Sequence, residues 1–180
     1  MIDYLNIINK YYIPQTPLYE LLIKHSSDVT NKALKIAKNC GEDVDLDFIY
    51  ESAMLHDIGI FMTQAPSIYC GGNERYICHG VIGSELLQSE GLSKHALVCE
   101  RHTGAGLSLK DIISQKLPLP HRDMLPISVE EKIICYADKF FSKSHLDREK
   151  SVDEIFREME KYGIDTVNRF TDLHIRFGEK

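Results

Sequence analysis

The chain has 180 residues, 43% of them hydrophobic and 27% charged, with a formal net charge of −6. That length suits one domain spanning the whole chain and burying about 70% of its unfolded surface, and the composition excludes the disordered and collagenous classes. The acidic balance argues against broad electrostatic capture of a nucleic acid polymer or an anionic membrane, since both need surplus Lys and Arg.

Residues 3 to 12 predict a short helix ended by Pro14 and Pro17. Thr16 is an N-cap and Pro17 a first helical residue for the next helix, where Leu18, Leu21, Leu22, Val29, Ala33 and Ile36 recur at helical spacing up to Cys40 and Gly41. His25 falls inside that stripe and points inward. Asp43 and Asp45 open a helix whose inner face reads Leu46, Ile49, Ala53 and His56, and Gly59 is expected to stop it with a left-handed cap. His56 and Asp57 then sit on its last turn.

Residues 60 to 77 predict a long irregular connection, of the kind that is often functional. A helix from about Tyr76 carries His79, Ile82, Gly83, Leu86 and Leu87 to Gly91, and another, capped by Ser93, puts His95, Val98, Cys99 and His102 on one face. Residues 108 to 115 predict one or two turns. Pro118, Pro120 and Pro126 keep the following loop, with His121, Arg122 and Asp123, extended or turning. Ser128 and Glu131 predict a capping box for a helix with Ile134, Ala137, Asp138 and Phe141 on one face. Residues 151 to 161 and 164 to 177 predict two amphipathic helices capped by Ser151 and Asp165. No stretch alternates as a strand, so the fold class is all-α, a single-domain helical bundle.

Cys40, Cys70, Cys78, Cys99 and Cys135 are odd in number and never spaced Cys-x-x-Cys, which indicates free thiols in a reducing cytoplasm rather than a disulfide framework or a thiolate zinc site. The amino terminus lacks a basic segment followed by an apolar run, and no stretch approaches about 18 uninterrupted apolar residues. A protein neither secreted nor membrane-spanning is expected.

Asp138 in an apolar stripe demands a partner, because burying a lone carboxylate is expensive and no Lys or Arg shares that stripe. Four histidines and two aspartates, His25, His56, Asp57, His79, His102 and Asp138, all fall on inward faces or terminal turns that a bundle brings together. Imidazole and carboxylate without thiolate suit iron, manganese, zinc, nickel or cobalt. Six ligands around Asp57 suffice for two ions, which would activate a bridging water and clamp a phosphate.

These residues resemble the HD-domain superfamily of metal-dependent phosphohydrolases, specifically its HDIG group, whose tetrapeptide stands as His56-Asp57-Ile58-Gly59; the likeness covers most of residues 20 to 145. It implies that His25, His56, Asp57 and Asp138 hold one metal and that Asp57, His79 and His102 hold another. Within the superfamily, Arg101-His102-Thr103-Gly104 is similar to a segment of small enzymes that hydrolyse dinucleoside polyphosphates, whereas Lys139 to Lys143 and Leu119 to Asp123 look more like other HDIG phosphohydrolases. The cyclic-dinucleotide branch fits less well, because its lysine after the glycine is Ile60 here.

The expected substrate is a small phosphorylated molecule, a nucleotide or dinucleoside polyphosphate, and a homodimer is compatible with the sequence. Arg101, Arg122, Lys139 and Lys143 are the candidate phosphate-binding cations beside the bridging Asp57. The same six ligands also resemble those of HD-type di-iron oxygenases, which cleave small organic substrates with dioxygen. A metal- and nucleotide-binding module without turnover is a third reading.

Overall fold

Thr16 starts the longest helix as its sequence predicts, its hydroxyl accepting from the Tyr19 amide at 3.4 Å with Pro17 in the first helical position. In the computed structural model, which describes residues 2–178, that helix is α2 (Pro17–Asn39), preceded by α1 (Tyr4–Tyr11). Asp45 caps α3 (Leu46–Leu55) by accepting from the Phe48 amide at 2.9 Å. α4 (His79–Ser89) and α5 (Ser93–Arg101) pack on each other across a turn at Gly91, whose φ of +77° suits glycine. After α6 (Leu109–Ser114) and α7 (Val129–Asp138), the chain ends in α8 (Val152–Glu160) and α9 (Ile164–Phe177).

The buried stripe of α2 faces α3 and α7, and this trio forms the centre of the main core with Val29, Ala33, Ile49, Ala53, Ile133 and Ile134. α9 closes that core: Phe170 is fully buried, its ring 5.6 Å from Tyr136 and 5.0 Å from Phe156. A second cluster, with Ile8, Leu22, Leu55, Ile58 and Leu87, joins α1 to the turn after α3, where the Tyr12 hydroxyl donates to the Ile58 carbonyl at 2.8 Å. The all-α class holds, and among the described residues no helix is long and apolar enough to cross a membrane.

Several local expectations are corrected. Two small antiparallel hairpins interrupt the helices: β1 (Gln64–Ala65) pairs with β2 (Cys70–Gly71), Gln64 opposite Gly71, and β3 (Phe141–Ser142) pairs with β4 (His145–Glu149), Phe141 opposite Glu149. Most of these strands have two residues, too few for alternation to show. Because β3 begins at Phe141, α7 stops at Asp138 and Lys143 lies in a hairpin turn, not on a continuing helix. Ser93 and Asp165 lie inside their helices, behind the cap residues Leu92 and Gly163, and Asp165 pairs with Lys110 at 2.6 Å. Ser128 caps α7, but Glu131 turns its carboxylate to the Ile127 amide and to Arg101 instead of closing the box. Ser108 and Asp111 form an unforeseen capping box on α6.

Gly59 is not a left-handed cap: its φ is −84°. It is glycine because of close approach, since a Cβ there would come within 2.3 Å of the His79 carbonyl oxygen and 2.5 Å of the Gly83 nitrogen. The turn after α3 therefore presses directly on the backbone of α4.

Candidate metal centre

His25 is fixed by its place in the α2 stripe, three residues after the fully buried Leu22 and four before Val29. His56 caps the end of α3 and Asp57 follows it, both at 0% exposure. His79 opens α4, His102 caps the end of α5, and Asp138 ends α7, all buried. Four helix ends and one helix middle thus converge. His25, His56, Asp57 and Asp138 place ligand atoms within 4.8 Å of one another, as do Asp57, His79 and His102, so Asp57 belongs to both groups.

Three of the imidazoles are oriented in the same way. Nδ1 of His56, His79 and His102 donates to the carbonyl three residues back, at Ala53 (2.6 Å), Tyr76 (2.7 Å) and Cys99 (2.8 Å). A carbonyl only accepts, so each Nδ1 carries a proton and each ring turns its Nε2 inward, as a metal-ligating histidine does. Burial, only partly offset by Asp57, pushes His79 down to about 3, and burial also lowers His102. Their bare Nε2 atoms nevertheless face each other at 3.0 Å, with no proton available to either. His25 Nδ1, His56 Nε2 and both oxygens of Asp57 are buried without a hydrogen bond of acceptable geometry. Opposed lone pairs, and buried carboxylate oxygens held by charge contacts without a well-formed hydrogen bond, are what a cation would satisfy, so this donor set fits divalent transition metals.

The negative charge is balanced locally by the chain's own cations. Burial opposes ionisation of Asp57, but His56 and Lys143 hold it well below the usual carboxylate range; Lys139, His25 and His56 do the same for Asp138 against its own burial. Burial would lower His56, yet Asp57 and Asp138 hold its imidazole up to about 9. His25 Nε2 stands 3.1 Å from both Asp57 Oδ2 and Asp138 Oδ1.

A cleft of about 650 Å³ opens on this centre. His79, His102, Asp138, Lys139 and Lys143 line it, and so do Gln115, Met159, Tyr162 and Thr166 from α6, α8, α9 and their flanks. Lys139 and Lys143 are therefore brought to the ligands. Arg101 and Arg122 are not: Arg101 forks onto Glu131 at 3.0 and 3.2 Å, and Arg122 Nε bonds Glu100 at 2.8 Å, neither lining the cleft. His95 is likewise turned away, 3.0 Å from Glu51. The wall from α8 and α9 escaped the sequence reading because nothing in its spacing distinguishes a cleft-lining Tyr162 from a surface one. Tyr76 was also missed; it stacks on His79 with centroids 4.8 Å apart. No residue type marks that stacking in the sequence, and the Tyr76 carbonyl that orients His79 is a backbone group any residue would supply.

A model of the HD domain matches residues 22–142, and the chain belongs to the HD-domain family, which lies in a superfamily of metal-dependent phosphohydrolases. It is similar to an uncharacterised protein of Methanocaldococcus jannaschii, 34% identical over 79% of this chain and 77% of that one. It is also similar to two proteins named tRNA (cytidine(56)-2'-O)-methyltransferase, from Thermoplasma volcanium (30% identical) and Picrophilus torridus (31%), over 86% of this chain. The chain spans only 41% of the length of each of these two. No solved structure matches.

Proposed function

We propose that the protein hydrolyses a small phosphorylated molecule, a nucleotide or dinucleoside polyphosphate, at a two-metal centre. The observation that supports this most is the meeting, beside one cleft, of six buried imidazole and carboxylate ligands, three of them lining it, with two mostly buried lysines. His25, His56, Asp57 and Asp138 would hold one divalent ion, iron, manganese, nickel, cobalt or zinc, and Asp57, His79 and His102 a second. Bound there, the metal supplies Lewis acidity that yields hydroxide near neutral pH and stabilises charge on phosphorus-bound oxygens.

The chain's own residues do the rest. Asp57 ties the two ligand groups together through its two oxygens. The Nδ1 protons of His56, His79 and His102, held on backbone carbonyls, keep the Nε2 atoms aimed inward. Lys139 and Lys143 supply the positive charge that a phosphate needs, whereas Arg101 and Arg122 drop out of the proposed phosphate site because Glu131 and Glu100 already occupy them. Gln115, Met159, Tyr162 and Thr166 offer a mixed polar and apolar wall to the organic part of the substrate; a bare phosphate would leave most of so large a cleft unfilled.

The test is phosphate release from a panel of nucleotides, dinucleoside polyphosphates and simple phosphoesters with Mn, Fe, Ni or Co. Metal-dependent release from nucleotides is the expected result. Release that is unchanged in Asp57→Ala would overturn the assignment, and oxygen uptake specific to iron, with manganese inactive, would replace it by the oxygenase reading.

A further inference from the structure

Two carboxylates and two ammonium groups are buried together and paired one to one. Asp138 Oδ2 lies 2.7 Å from Lys139 Nζ, and Asp57 Oδ2 lies 2.5 Å from Lys143 Nζ, the lysine side chains being only 10% and 12% exposed. Formal charges on the four groups cancel. The lysines are held differently, however. Lys139 caps the end of α7 and donates a further bond to the His102 carbonyl at 3.2 Å. Lys143 reaches in from the turn between β3 and β4, and the residues that follow it, Ser144 and His145, are exposed.

The place its ammonium occupies is informative. Asp57 Oδ2 is the oxygen that His25 Nε2 and His56 Nε2 face at 3.1 and 3.0 Å. A divalent ion entering that ligand group meets a positive charge already at the central oxygen. Two like charges in a buried site repel strongly, and a long, flexible lysine stem on an exposed turn is free to take its charge elsewhere. Inside the cleft the compensating partner is an anion.

We propose that Lys143 is a stand-in cation: it neutralises Asp57 in the metal-free protein, gives up that oxygen to an incoming divalent ion, and re-pairs with phosphate in the cleft. Metal and phosphate then bind cooperatively, each making room for the other. The inference rests on the phosphohydrolase reading for the identity of the two ligands, but its test is binding and not turnover.

The experiment titrates the full chain with Mn(II), reading free ion by its electron paramagnetic resonance signal, with and without inorganic phosphate. Phosphate is expected to tighten Mn(II) binding to the wild type about tenfold, within the usual range for coupling between sites. Lys143→Met is expected to bind Mn(II) about tenfold more tightly than the wild type without phosphate, and to gain only about twofold when phosphate is added. Wild-type affinity indifferent to phosphate, or a folded Lys143→Met no tighter than the wild type, overturns the role of Lys143 and leaves the metal centre standing. A wild-type chain that binds no Mn(II) under either condition overturns both. Should Lys143→Met lose its helical circular dichroism, the two wild-type titrations decide alone.

Discussion

The ligand end of the cleft and its α8–α9 wall are built on opposite principles. Around Asp57, buried polar atoms lack partners, bare nitrogens face each other and four charges are packed out of water. Around Phe170, aromatic rings interlock and a half-buried polar pair, the Tyr136 hydroxyl and His174 Nδ1, is satisfied at 2.8 Å. The first arrangement stores unmet bonding capacity for a ligand; the second spends its contacts on holding the chain together. The family match ends at residue 142, so the wall lies outside it while the ligands lie within. On the proposed function, the difference teaches that the metal-held reaction would be drawn from the matched segment and much of the selectivity from the segment after it, with Gln115 and Lys143 crossing that boundary.

The comparison breaks most visibly at Asp57. Asp57→Ala is expected to abolish metal-dependent phosphate release by at least about a thousandfold, roughly 4 kcal/mol of barrier, while thermal unfolding of the metal-free protein stays cooperative. Phe170→Ala should do the reverse, lowering stability by about 3–5 kcal/mol in urea denaturation with Mn(II) affinity of the folded fraction unchanged. A smaller effect is expected where α6 meets α9. Asp111 accepts from Ser108 and from Arg169 at 2.7 Å, and these contacts outweigh its burial to hold it below the usual carboxylate range.

Its folded value is depressed, so its stabilisation is complete above the unfolded value near about 4 and is lost as the pH falls through the folded one. Asp111→Asn should therefore cost about 2 kcal/mol at pH 7, and the gap from the wild type should close in melts carried below that range. Tyr162→Ala sharpens the selectivity side: KM for a nucleotide should rise several-fold, about 1 kcal/mol, with kcat on a simple phosphoester unchanged. Arg122→Ala, removing the guanidinium that pairs with the buried Glu100 carboxylate, should leave both kinetic constants within about twofold and lower stability by about 1 kcal/mol.

Much of the ligand end was legible because burial and helical period act on neighbours in sequence. His25 between Leu22 and Val29, and Asp138 after Ala137, announce an inward polar group by spacing alone. Helix starts at Thr16, Asp45 and Ser151 were legible for the same reason, since a cap satisfies amides two or three residues on. What escaped depends on partners distant in sequence. Nothing near Arg101 or Arg122 reveals that Glu131 and Glu100 claim them, 30 and 22 residues away. The helical period claims Phe141 because two-residue strands leave no pattern of their own, and the wall of Gln115, Tyr162 and Thr166 is assembled by tertiary packing only.

Gly59 carries a consequence beyond the turn it sits in. His25, His56, Asp57 and Asp138 come from α2, α3 and α7, while His79 and His102 come from the α4–α5 pair, and the two assemblies touch backbone to backbone where Gly59 meets the His79 carbonyl and Gly83. That missing carbon is a gauge block: it fixes the gap between the two ligand groups by main-chain thickness, which side-chain repacking cannot adjust. One methyl group at position 59 would pry the second group from the first without altering a single ligand.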